Sequence, residues 1–151
     1  MPGTTTPFQW SIQPVAVGGS TIPSARLEVE FFLRSTLPGT QVLCEQAWID
    51  TGAPLSVIPF HVHNGRLGWK RIPGIQLVWA GQPCDFGTID VWLPTQETPA
   101  LRGPFALSAK FPRSDPPGNP APILLGLEFF LSHQAGMILL PPAQQSTIWV
   151  P

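Results

Sequence analysis

The sequence predicts an all-β domain built from many short strands, with little helix. Three observations carry this reading. The chain holds 20 prolines and 14 glycines in 151 residues, and proline alone far exceeds its usual share of about 5%. Proline breaks helices and central strands alike, so it belongs in turns, at edges and in extended loops. Apolar runs separate the prolines, and 43% of the residues are hydrophobic, so a core can form where a disordered chain could not make one. Finally, Arg26-Leu27-Glu28-Val29-Glu30 alternates polar and apolar before Phe31-Phe32-Leu33, the period of a half-buried strand.

The elements follow in order. Residues 1–22 are rich in Thr, Pro and Gly around a short apolar patch, Phe8 to Ile12. They read as an N-terminal arm, either an edge strand or a pro-segment, ahead of one domain over residues 23–151. The strand from Arg26 to Leu33 turns at Leu37-Pro38-Gly39-Thr40 and returns over Gln41 to Ile49. Asp50 to Pro54 is a tight loop, and Leu55 to Ile58 resumes an extended course until Pro59. Ile75–Ala80 and Thr88–Leu93 are apolar runs about Gly81-Gln82-Pro83, a hairpin signal. Phe105–Phe111 is a further strand and Ser114–Pro122 a proline-rich loop. Leu124–Gln134 is the one predicted helix, stopped by Gly136. Met137–Leu140 and Thr147–Val150 close the chain as strands, and no internal repeat is present.

Composition bounds the function. Charged residues make up only 11% of the chain, with a net charge of -1, against about 25% in a typical domain. So few charges point to surface buried against a partner, or else to a sticky monomer. Without a basic stripe, nucleic-acid binding is not indicated. Cys44 and Cys84 match no metal or redox spacing. Two buried free thiols are the default, with a disulfide left open. The start of the chain lacks a basic, apolar signal. The most membrane-like stretch, Ile123 to Pro142, is interrupted by Glu128, Ser132, His133, Gln134 and Gly136. A cytoplasmic protein without membrane contact follows by default.

The chemistry gathers in Ala47-Trp48-Ile49-Asp50-Thr51-Gly52-Ala53-Pro54-Leu55-Ser56-Val57-Ile58. An Asp directly after an apolar strand places a carboxylate at the mouth of a dry environment, where desolvation would raise its pKa. Thr51 offers a hydroxyl that donates or accepts. Gly52 lets another chain come close. The segment resembles the Asp-Thr/Ser-Gly loop of aspartic proteases, and Ala53 and Ser56 resemble the retroviral branch. Downstream, Ile123-Leu124-Leu125-Gly126 is similar to that family's apolar pair and Gly, which opens its helix.

The resemblance, over about residues 25–140, implies the retropepsin-like closed β-barrel of the acid protease fold, with one short C-terminal helix and one lobe per chain. Only Asp50, among Asp50, Asp85, Asp90 and Asp115, sits in the signature. The chemistry needs two carboxylates sharing one proton, so a second copy of Asp50 must come from a second chain in a twofold homodimer. The implied activity is aspartic endopeptidase. One Asp50 takes a proton from water, and the other donates to the scissile carbonyl oxygen of a peptide or protein substrate. No metal, cofactor or covalent intermediate is required. Thr51 should bond across the dimer and Gly52 should contact the substrate backbone. Ala53, Trp79, Gly81 and Gln82 are the expected substrate-binding positions, the last three on a flap hairpin. Trp79 has an equal reading as a core residue. The termini, Phe8–Ile12 and Thr147–Val150, are candidates for interleaved interface strands. A less glycine-rich flap, Pro54 and the 114–122 loop depart from retroviral enzymes and fit a cellular or bacterial member better. Hydrophobic residues around the cut are the expected preference.

Other signals carry less. His61-Val62-His63 would place two imidazoles on one face if extended, too few for a metal site. Asp85-Phe86-Gly87 has no nucleotide-binding loop beside it, and neither a nucleophile elbow nor a zinc-protease helix is present. Two further hypotheses stand beside the peptidase. One is a catalytically inactive module of the same fold that dimerises and binds peptides. The other is a monomeric β-barrel binding module with a chance triplet.

Overall fold

The proline-punctuated runs become strands in a computed structural model, which describes residues 3–97, 100–142 and 144–151. The all-β expectation holds: ten strands and two helices of four and six residues form among the described residues. Strand β1 (Thr4–Val17) and strand β2 (Ser20–Arg34) form an antiparallel ribbon from Gln9↔Glu28 to Val17↔Ser20. It closes on Gly18 and Gly19, both at positive φ, which glycine adopts without a Cβ clash. The second half of β2 pairs with β3 (Val42–Ile49), from Glu28↔Trp48 to Arg34↔Val42. Residues 4–8 of β1 pair instead with β10 (Ser146–Val150), which also holds β9 (Gly136–Ile138). The segment read as an arm or edge strand therefore lies between two strands of the same chain, and residue 22 falls inside β2.

Strand β5 (Lys70–Trp79) and strand β6 (Gln82–Pro94) make the expected hairpin, turning at Ala80-Gly81. Strand β6 continues along β7 (Leu101–Pro112). Two short strands tie the sheet around residue 50. β4 (Ser56–Val57) runs parallel to β7, and β8 (Ile123–Leu125) runs parallel to β3. The core is their inner face. Phe31, Leu33, Ala47, Val91, Leu93, Leu107, Phe111, Ile123, Leu125 and Phe129 are all fully buried.

Three local expectations are corrected. The helix predicted over 124–134 is shorter: α2 spans Leu127–Ser132, and residues 123–125 are β8. Those apolar residues are held extended by β3, and Gly126 (φ -90°, ψ 175°) is extended too, so the helix starts only after it. A second helix, α1 (Phe60–His63), follows Pro59, a residue pre-set for a helix start. In it His61 and His63 diverge. His61 Nδ1 lies 3.0 Å from Asp115, whereas His63 Nε2 is 2.8 Å from the Pro112 carbonyl and is buried. Cys84 is buried, but Cys44 is exposed, because it falls on the outward-facing side of β3; both are free thiols. Among the described residues no helix is long and apolar enough to cross a membrane.

Candidate active site

Asp50 sits where β3 ends, and the backbone around it is fastened from both sides. Its N–H donates to Leu125 O at 2.9 Å, the Gly52 N–H donates to its Oδ1 at 2.9 Å, and the Ala53 N–H donates to its carbonyl at 3.1 Å. The carboxylate is thus oriented by its own loop, in the manner of an Asx turn. Thr51 and Gly52 are exposed at the loop tip, while Asp50 and Ala53 are partly exposed. In the single chain Asp50 is only partly buried, so the dry mouth expected around it is not complete.

The downstream Leu-Leu-Gly segment is joined to this loop by a buried lock. Ser56 is fully buried, and its Oγ accepts the Gly126 N–H at 3.0 Å. Leu127 N–H donates to Ala53 O at 2.9 Å and Glu128 N–H to Pro54 O at 3.0 Å. A Cβ on Gly126 would lie 2.5 Å from the Leu55 carbonyl carbon and 2.8 Å from Ala53 O. Only glycine fits there. Two segments 76 residues apart (126 − 50) therefore form one rigid unit under Asp50.

Above this unit an open groove of about 430 Å³ is lined by Arg26, Leu27, Trp48, Ile49, Asp50, Thr51 and Leu124, with Ala25 at its margin. The Arg26 guanidinium lies over the Trp48 ring, 4.9 Å from its centroid. Sequence reading did not single out Arg26 or Trp48, although the hairpin register could have. The β2–β3 ladder ends at Glu28↔Trp48, so Arg26 and Asp50 each lie two residues past it on neighbouring segments, and both line the groove.

The other expected binding residues lie elsewhere. Trp79, Gly81 and Gln82 are at the β5–β6 turn and do not line this groove. Trp79 and Gln82 are partly exposed, Gly81 is exposed, and Trp79 is not a core residue. The hairpin is fastened to the end of β7 and the residues just after it. Arg113 N–H donates to Pro83 O at 3.1 Å, Lys110 Nζ donates to Val78 O at 3.1 Å, and Ser114 Oγ donates to Gln82 Oε1. Behind the turn, Arg113 grips Asp85 through Nη2 at 2.8 Å and Nε at 3.3 Å, with Arg71 Nε at 3.2 Å. The Arg113 hydrogen bonds hold the Asp85 carboxyl below the usual carboxylate range. Burial pushes the His63 imidazole down, favouring the neutral ring that donates to Pro112 O.

Comparison with family models found no match, and no significant match was found among curated proteins.

Proposed function

We propose that the chain is an aspartic endopeptidase with a retropepsin-like barrel, active as a homodimer in which Asp50 from each copy forms one catalytic pair. The observation that carries this reading is the lock between the Asp50 loop and the Ser56–Gly126 unit. It fixes the loop that carries Asp50, whose exposed tip, Thr51 and Gly52, is where a second copy would approach. The residues that resemble the aspartic protease signature are also the residues that meet in space, which a chance triplet has no reason to produce.

In the proposed dimer the two carboxyls lie close enough that both cannot ionise cheaply, so the pair shares one proton. The ionised member takes a proton from a water between them. That water attacks the scissile carbonyl carbon, and the protonated member donates to the carbonyl oxygen. Breakdown of the tetrahedral species returns a proton to the leaving amine. An extended peptide would be held by strand pairing along the groove beside Asp50, with alternate side chains entering pockets.

The test is incubation with a mixed peptide library from mildly acidic to neutral pH, with molecular mass measured in parallel. The wild type should cut and run as a dimer, and Asp50→Ala should abolish cutting while leaving the dimer intact. A dimer that binds without cutting would support the inactive module instead. A monomer that neither cuts nor assembles would leave the triplet as coincidence.

A further inference from the structure

Arg26 is the groove side chain for which the hydrolytic step has no use. Arg34, Arg66, Arg71 and Arg113 each hold a carboxylate, at 2.8–3.2 Å. Arg26 holds none among the described residues; its contact is the face of Trp48 at 4.9 Å. Stacking on an indole keeps a guanidinium flat and costs it none of its N–H groups. The planar edge therefore remains free to take a carboxylate by two parallel hydrogen bonds. The surroundings favour such a pair. The Trp48 ring and Leu124 supply apolar surface beside the exposed Arg26, and a carboxylate seated against them is less screened than one on a fully polar surface. Asp50 and Thr51 line the same groove, so a ligand bound to Arg26 lies beside the reacting carboxyl.

We infer that Arg26 makes the groove select peptides that carry an acidic side chain close to the scissile bond. The inference rests on the peptidase reading and specifies its substrate class. It adds a charged requirement to the hydrophobic preference expected from composition. A twofold dimer would present one such guanidinium on each side of the catalytic pair.

The experiment uses peptide pairs that differ only by Glu or Gln at one position, scanned on both sides of a cut site. Cleavage is compared for the wild type, and binding of labelled peptides is compared for Asp50→Asn by fluorescence anisotropy. At one position, or its twofold mate, the Glu peptide should be favoured by about tenfold, and the ratio should shrink as salt is added. Arg26→Gln, alone or combined with Asp50→Asn, should bring the ratio to unity. Arg26→Lys should keep part of it, because a point charge lacks the fork. A Glu/Gln ratio of one at every position would overturn the inference, and so would a preference that survives Arg26→Gln, including one that survives while the variant's dimer weakens. Selective binding of Glu peptides by Arg26 without any cleavage by the wild type would sink the peptidase reading alone.

Discussion

At the scale of single residues, Ser56 tests the site independently of any reaction. Its buried hydroxyl is the partner of the Gly126 N–H. Ser56→Ala leaves that donor unsatisfied in the interior, at a cost of about 1–3 kcal/mol. Denaturant unfolding should show this as a lower midpoint with an unchanged slope. A loss near zero would mean that the lock does not hold the loop. Both partners were legible in the sequence as the downstream elements of a resemblance, and so was Asp50. Their bond was not, because a contact over 70 residues leaves no local signal. Arg26 was missed for a different reason. On a strand that alternates Arg, Glu, Glu with Leu, Val, Phe, it reads as one more solvated charge until the register sets it beside Asp50.

At the scale of elements, the β5–β6 hairpin is the part whose behaviour depends on charge. Asp85 joins it to Arg113, beyond the end of β7. A carboxyl with a lowered folded-state pKa adds stability that is fully present above its unfolded value and is lost as pH falls through the folded one. Asp85→Asn should therefore cost about 1 kcal/mol at neutral pH. The difference in melting temperature between the two proteins should close on acidification below the ordinary carboxylate range, and narrow in high salt. A gap independent of pH would show that the pair adds nothing. Turn chemistry made this hairpin readable, since Ala80-Gly81 falls where the apolar runs part. The helices were less readable. An apolar run such as Ile123-Leu124-Leu125 fits a strand or a helix equally well until a pairing partner decides, and β3 decides for strand.

At the scale of the molecule, the exposed apolar surface is the feature that a single chain leaves unexplained. Leu127 and Leu131 are 40% and 80% exposed, one turn apart on the helix that starts beside the Asp50 loop. Ile12, Val15, Val17 and Ile22 are also exposed on the β1–β2 ribbon. Such residues are normal singly; those on α2 flank the loop proposed to meet a second copy, so the proposed dimer makes that helix face the first to test. Charge at Leu131 should matter to assembly far more than to folding. Leu131→Glu is expected to lower the sedimentation mass toward that of a monomer and to change stability by no more than about 0.5 kcal/mol. An unaltered mass would remove α2 from the interface. Low charge content pointed to a partner surface or to a sticky monomer, and only the fold shows which apolar residues are left exposed.

The most direct measurement of the shared pair is a subunit-mixing titration. Wild-type chain is unfolded and refolded with increasing proportions of Asp50→Asn chain at constant total concentration, and peptide cleavage is recorded. If each site needs a carboxylate from both copies, mixed dimers are inactive and activity falls as the square of the wild-type fraction. A fall in simple proportion to that fraction would mean that each chain works alone, and would contradict the proposed dimeric site.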